Sequence, residues 1–362
     1  MGFKCGLVGL PNAGKSTIFN AITNLGVEAS AYPFCSIDPH FGVVPLEDER
    51  LDIIRQKAGS DKKTPTVLEF VDIAGLVQGA SHGEGLGNRF LSHISRVDAV
   101  AYVIRCFEDD NVSHPCRTID PVRDARIVST ELISKDTETV EKRLSKSLTA
   151  ARSGDPAMKK IVSALEPLLS HLQDQKEIRF YHVISESQTE LIREMNLLTA
   201  KPAIYIANVD EKHVRNSALV HQLQNHASTL QTPCISFCGQ VQAEIAELEE
   251  PDRLAFMQAM GLDETGLQKL VRTGYQVLNL ITFFTANEKE AHAWTVPDGT
   301  LIQQAAARVH TDFEKGFIRA EVISFSDLQI CGSIRELHDH GLIAVQGRGY
   351  VVRDGDLVYF RV

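Results

Sequence analysis

Apolar positions in the chain cluster into short unbroken runs. KCGLVGL (4–10), TVLEFVDIAG (66–75), AVAYVIRCF (99–107) and AIYIAN (203–208) are mostly apolar at successive positions, the pattern of strands buried on both faces of a parallel sheet. PCISFC (233–238) is a fifth such run. Turns and helical patterns follow most of them, so they predict a doubly wound α/β domain. Between Asp120 and Leu198 about 80 residues of helical texture intervene, too long for an ordinary crossover, and this predicts an inserted helical, coiled-coil-like domain. Val140, Leu144, Leu148 and Ala151 recur at helical spacing on one face, SGDP (153–156) breaks the pattern, and AMKKIVSALEPLLSHL resumes it. Two long antiparallel helices follow from that reading. Beyond residue 280 short alternating segments appear, FIRAEVISF (317–325), LIAVQGRGYVV (342–352) and DLVYFRV (356–362), and predict a small β-rich domain.

Composition narrows the class. The 362 residues exceed what one hydrophobic core usually serves, so two or three domains are expected. A formal net charge of -10 argues against a protein that coats nucleic acid through its overall charge, and leaves only local basic patches for such contact. One patch stands out: residues 142–160 hold six Lys or Arg against one acid, Asp155. It reads either as an RNA-phosphate contact or as a solvated helix face. Seven cysteines without a CxxC pair argue against a disulfide framework or zinc site and for a reducing cytoplasm. The N-terminus runs into a strand without a signal peptide, and no stretch has the roughly 18 apolar residues of a membrane span. The expected location is the cytoplasm.

The chemistry is carried first by GLPNAGKST (9–17), which has the spacing GxxxxGKS between a strand and a helical pattern. Gly9 and Gly14 let backbone N–H groups face phosphate, and Asn12, Ala13 and Thr17 belong to the same cradle. Lys15 supplies a charge for the β- and γ-phosphates, and the Ser16 hydroxyl a ligand for Mg²⁺. DIAG (72–75) closes a strand about 55 residues later in the manner of a DxxG element. Asp72 would hold the metal through water, and the Gly75 N–H would meet the γ-phosphate. Ser36, in AYPFCSIDPHFG (31–42), is the candidate for a further Mg²⁺ contact, although a lone Ser in a loop is usually a turn residue. The expected organisation is a P-loop nucleotide-binding domain of residues 1–120 and 199–279, the helical insertion of 121–198, and the terminal domain of 280–362.

Together with NVDE (208–211), the segments GLPNAGKST, PFCSIDPHFGVVP and DIAGLVQGASHGEGLGNRFL resemble the Obg-related P-loop NTPases and, within them, the YchF or Obg-like ATPase subgroup. Residues 280–325 are similar to that subgroup's TGS-type domain. The likeness covers essentially the whole chain. It implies an ATP-preferring, Mg²⁺-dependent hydrolase that associates with ribosomes and ribosomal RNA, and the expected state is a monomer. Ser36 departs from the Thr expected in that switch loop but keeps the hydroxyl, and His82 sits at a variable switch position. Asn12 resembles the Asn that coordinates potassium in related NTPases, so K⁺ is a second expected cation; the alternative is an Asn that stabilises its loop.

The NVDE run stands where a guanine reader would carry Asn-Lys-x-Asp. Val209 lacks the Lys stem, Glu211 sets its carboxylate one methylene further out, and Asp210 falls one position early. Losing a bidentate reader costs guanine on the order of 1–3 kcal/mol. Asn208 keeps the donor and acceptor that Asn commonly pairs with adenine. An adenine site is therefore expected, with Val209 contributing main chain only. Leu76 follows DxxG where small GTPases often place Gln, and it has no group to orient water, so slow turnover is expected. His114 in NVSHPCRTIDP (111–121) reads most simply as a structural histidine, and no catalytic base is assigned. The competing readings are a GTPase with a degenerate guanine motif and an RNA-binding adaptor for which nucleotide is mainly a conformational ligand.

Overall fold

The computed structural model describes residues 3–25, 41–72, 97–152, 155–214, 217–331, 336–337 and 340–362. The apolar runs become β1 (Phe3–Val8), β4 (Val67–Asp72), β5 (Ala99–Arg105), β6 (Ala203–Asn208) and β7 (Cys234–Phe237). All of them are parallel, in the order β4-β1-β5-β6-β7, with β2 (Phe41–Pro45) antiparallel on the outer edge beside β4. The chain leaves β1 for one side of the sheet and returns on its other side at β5. This reversal makes the carboxyl end of β1 the topological switch point, where open α/β sheets bind ligands. Two apolar layers cover the faces. One is built on Leu7, Ile18, Ile22, Phe70 and Ile206, the other on Val8, Tyr102, Val128, Val209 and Leu223.

Between α1 (Lys15–Leu25) and β4 the chain makes a detour that its sequence pattern hides. α2 (Glu49–Ala58) and β3 (Lys62–Thr64) follow β2, and β3 pairs in parallel with β9 (Glu290–Pro297) of a second sheet. That sheet has six strands in the order β11 (Ala344–Gln346), β10 (Arg319–Ile323), β12 (Leu357–Arg361), β8 (Leu280–Ala286), β9, β3. The assignment of all of residues 1–120 to the nucleotide-binding domain is therefore corrected for 49–64. The physical reason is apolar burial: Leu51 and Ile54 lie fully inside a cluster with Phe284, Ile323 and Leu357 of the second sheet and Leu328 of the helix that covers it. Arg50 bridges Asp48 and Asp354, and Lys57 donates to the carbonyls of Leu328 and Cys331.

Helix α3 (Pro121–Arg152) and α4 (Pro156–Gln173) run out from the first sheet as a pair, with Asp155 capping α4 on the Ala157 N–H. Val140, Leu165, Leu168 and Leu172 form the seam, and Leu191 of α5 (Glu186–Met195) joins it. The expected stripe holds only in part: Val140 is buried and Leu144 half-buried, while Leu148 toward the tip is 37% exposed. At the root, Tyr102 donates to Glu177 Oε1 at 2.9 Å, Ser129 to the same oxygen at 2.6 Å, and Arg179 Nε to Glu177 Oε2 at 2.6 Å. Asp136 accepts from the Leu198 and Thr199 backbone N–H groups at 2.8 and 2.7 Å. These buried charges are satisfied, which fixes where the insertion leaves and rejoins the sheet.

In the second sheet β10 (Arg319–Ile323) and β12 (Leu357–Arg361) match the alternating segments. The run 342–352 yields only the short edge strand β11 (Ala344–Gln346), because Gly347–Tyr350 turns away and Val351 keeps a single bridge to Leu301. β8 (Leu280–Ala286) and β9 form a hairpin that the pattern reading did not separate. Ile54→Ala should cost about 2–5 kcal/mol, the usual price of a large-to-small change in a closed core. Denaturant unfolding checks this. An unchanged midpoint would mean that α2 does not pack into the second sheet.

Candidate functional site

The phosphate loop is shaped by contacts that leave no room for side chains. A Cβ on Gly9 would lie 2.4 Å from the Val103 carbonyl oxygen of β5, and one on Gly14 would lie 2.0 Å from Asn208 Nδ2. Gly14 also has φ +93°, and Asn12 sits at φ 61°, so the loop turns through left-handed backbone at two positions. Ala13 N donates to Leu10 O at 3.2 Å, and α1 begins at Lys15, which presents its first-turn N–H groups to the same space. Lys15 is 8% exposed and donates to the carbonyls of Gly9 at 3.0 Å and Leu10 at 2.9 Å. Burial lowers its pKa, and the Asp72 carboxylate pulls the other way. Ser16 and Thr17 are exposed on the first turn of α1.

Asp72 ends β4 beside Leu7 of β1, next to the loop. Its Oδ1 is buried and has no hydrogen-bond partner among the described residues. A buried orphan carboxylate oxygen is costly, and a hydrated divalent cation is the partner that would satisfy it. Ser16 and Asp72 thus fit a Mg²⁺ site. Ser36, Gly75, Leu76 and His82 lie outside the described residues.

The strand end read as the base-binding rim has a second job. Asn208 is 5% exposed, and its Nδ2 donates to the Ala13 carbonyl at 2.9 Å, tying β6 to the phosphate loop. Val209 packs into the core, and its N–H donates to Phe237 O at 3.0 Å, so of its backbone only the carbonyl is left to meet a base. Asp210 caps a short 3-10 turn: its Oδ1 accepts the His213 N–H at 3.0 Å and lies 2.6 Å from His213 Nδ1. That carboxylate is thereby committed away from a base. Glu211 is exposed on the turn. Cys238 and Gly239, at the end of β7, reach the same rim: a Cβ on Gly239 would lie 3.0 Å from Thr17 Cγ2. Sequence reasoning passed over this position, whose signal is a Gly directly after a buried strand.

A further loop closes on Asn12. Arg105, 2% exposed at the end of β5, donates to the carbonyls of Phe107, Asp109 and Val112 at 3.1, 3.0 and 2.8 Å. The loop so held meets Asn12 Nδ2, which donates to Ser113 O at 3.0 Å and Ser113 Oγ at 3.2 Å. His114 Nδ1 accepts from the Cys116 N–H at 3.1 Å, which assigns the proton to Nε2 and makes Nε2 the donor to Asp124 Oδ2 at 2.9 Å. Arg123 holds the other oxygen of Asp124. The His114, Cys116 and Asp124 ligand atoms lie within 4.8 Å of one another. The Arg123 guanidinium and the committed imidazole nitrogens make that triad a hydrogen-bonded brace.

Two family models match this chain. That of the 50S ribosome-binding GTPases covers residues 4–146, and the YchF-type GTPase C-terminal model, described as a protein of unknown function, covers 280–362, starting at the first residue of β8. The ribosome-binding ATPase YchF of Escherichia coli O157:H7 is 44% identical over 360 residues, which is 99% of each chain. The chain belongs to the YchF family. The Bacillus subtilis ribosome-binding ATPase YchF is 41% identical over 364 residues, 100% of this chain and 99% of the relative. The Schizosaccharomyces pombe YchF GTPase superposes with a TM-score of 0.89 at 33% identity, covering 99% of this chain and 97% of that one. A GTP binding protein from Pyrococcus horikoshii shares the fold, with a TM-score of 0.62 at 17% identity. The relatives' names divide between ATPase and GTPase, so purine choice in this YchF-family chain rests on its own rim.

Gly14→Ala should abolish nucleotide binding while the far-ultraviolet circular dichroism stays unchanged, since the added methyl meets Asn208 directly. Asn208→Ala should weaken Mg-nucleotide binding by about 5- to 150-fold, corresponding to 1–3 kcal/mol for a lost buried hydrogen-bond partner. Titration with a fluorescent nucleotide checks both, and undiminished binding by either variant would refute the clamp between β6 and the loop.

Proposed function

We propose that this chain binds and hydrolyses ATP with Mg²⁺ and that its nucleotide cycle controls attachment to ribosomes. The observation that carries the purine choice is the rim of β6. Asp210 is held by His213, Val209 is turned into the core, and Glu211 stands exposed one methylene out, so no carboxylate is fixed to accept from guanine N1–H and its 2-amino group. Asn208 and the Val209 carbonyl remain for adenine, whose edge offers an acceptor and a donor.

Phosphoryl transfer needs positioning and charge neutralisation more than covalent chemistry. Asn12, Ala13, Gly14, Lys15, Ser16 and Thr17 would line the triphosphate, with Gly75 for the γ-phosphate, and Ser16, Ser36 and Asp72 would hold the metal. Mg²⁺, when bound, neutralises charge on the β- and γ-phosphates. Lys15, now bonded to its own loop carbonyls, exchanges them for phosphate oxygens. With Leu76 after DIAG, intrinsic turnover is slow. A potassium ion beside Asn12 is the second cation of this reading, and equal ATPase rates in Na⁺ and K⁺ buffers would remove it.

The ribosome enters from the relatives' names, "Ribosome-binding ATPase YchF", at 41–45% identity over whole chains. We assign residues 1–48, 65–120 and 199–279 to the nucleotide-binding domain, 121–198 to the helical insertion, and 280–362 with α2 and β3 to a TGS-type domain. The protein acts as a cytoplasmic monomer. Among the described residues no helix is long and apolar enough to cross a membrane. Lys15→Ala and Asp72→Asn should each lower ATP turnover at least about 100-fold, the scale of losing one preorganised electrostatic group. The same Lys15→Ala protein should pellet with ribosomes but lose the response to ATP. Unchanged turnover would overturn the site, and a response to ATP that survives Lys15→Ala would overturn the switch.

A further inference from the structure

A cavity of about 570 Å³ opens at the root of the helical insertion, on the face of the first sheet that α1 does not cover. Small-molecule sites have volumes of roughly 300–1,000 Å³, so it is large enough to hold one. Its walls come from the first turns of α3, from the turn Gln175 to Phe180 that follows α4, and from the end of α6 (Ala218–Thr229) with the turn after it. Tyr205 of β6 lines it from the sheet. Tyr205 stands three residues before Asn208, about 10 Å along the strand, and packs on the opposite face from Ile206. No residue of the nucleotide site lines this cavity.

The lining carries hydrogen-bonding capacity that the fold does not use. Tyr205 is 3% exposed, yet its hydroxyl makes no hydrogen bond with any described residue. A buried tyrosine hydroxyl normally has a partner, so this one is left for a ligand. Glu177 is the single carboxylate on the wall, and Tyr102, Ser129 and Arg179 already occupy it. Arg126 makes no salt bridge among the described residues, and its charge, after burial, lowers the pKa of His226 across the cavity against the pull of Glu177. Lys176 pairs with Asp174, which is 62% exposed and lies outside the lining. The backbone is unusual here too. Among the described residues three other than Gly and Asn have positive φ, and two of them, Gln175 at 58° and Gln231 at 49°, line this cavity.

Two cations with no uncommitted acid select an anion. A carboxylate offers two oxygens, whereas a phosphate monoester offers three, which suits the donors of Arg126, Lys176, Tyr205 and Ser228. Flat apolar surface is present as well: Phe180 is 42% exposed, and the Tyr205 and His226 rings lie with centroids 6.2 Å apart. We propose that this cavity is a second ligand site, separate from the nucleotide site, for a small phosphate monoester that carries a flat unsaturated ring. Arg126, Lys176 and Phe180 belong to the insertion, Tyr205 and Ser228 to the nucleotide-binding domain. A ligand held by both sets ties the root of the arm to the sheet. The site is independent of which purine the phosphate loop takes.

The test is a titration of the full chain with phenyl phosphate, followed by phosphorus and proton NMR of the ligand, with Mg²⁺ and a non-hydrolysable ATP analogue filling the nucleotide site. Saturable binding is expected with a Kd of about 1 mM or below, the range open to a ligand of this size. Inorganic phosphate and benzoate should each bind more weakly. Tyr205→Phe and Arg126→Gln should each weaken phenyl phosphate about tenfold or more, the scale of one hydrogen bond to a charged group, while circular dichroism and ATP turnover stay unchanged. Absence of binding, or binding seen only when the nucleotide site is empty, overturns the second site. Undiminished binding by either variant overturns its place in this cavity. Inorganic phosphate or benzoate binding as tightly as phenyl phosphate overturns the ligand class.

Discussion

The site depends on one steric constraint, the close fit of the phosphate loop between β5 and β6. Val103 O presses on Gly9 and the Asn208 amide on Gly14, at distances that exclude a methyl group. Because both contacts come from strands buried in the sheet, the loop's shape is set before any ligand arrives. Such preorganisation lets backbone N–H groups face a triphosphate without a reorganisation cost at binding. The same clamp explains why Asn208 is nearly buried: its side-chain N–H holds Ala13 O.

A second constraint joins the catalytic sheet to the terminal one. The segment between β2 and β4 contributes α2 to the core of the second sheet and β3 to its edge, and Thr66, Tyr275 and Thr295 form a hydroxyl cluster where the two meet. β2 and β4 also border the two loops expected to sense the γ-phosphate, through Ser36 and through Asp72. The segment that joins β2 to β4 thus belongs to both sheets.

What the sequence disclosed followed from how strongly each element constrains its own residues. Strands β4, β5 and β6 and most of β1 are buried on both faces and so are written as apolar runs, and the phosphate loop is written as glycines and a lysine at fixed spacing. Lys62–Thr64 is a polar edge strand whose partner lies over 220 residues away, and nothing local announces it. β9 does alternate, but its buried positions Ala291, Ala293 and Thr295 are too small and too polar to register as a strand. Within the site, NVDE is legible as a departure from Asn-Lys-x-Asp, whereas the His213 hold on Asp210, the packing of Val209 and the Arg105 grip on the loop at Asn12 are tertiary facts. Val209 teaches the most: the position that would carry the guanine reader's Lys points into the core here, so its loss and the burial of its neighbours belong to one change.

The central claim is that this rim selects adenine, and the most direct measurement is competitive titration of nucleotide-free protein with ATP and GTP analogues labelled away from the base, in Mg²⁺ and K⁺. The account predicts tighter ATP binding by about tenfold or more, as expected when a bidentate guanine contact worth 1–3 kcal/mol is missing. Equal or tighter binding of GTP would contradict it and show that Asn208 and backbone alone read guanine.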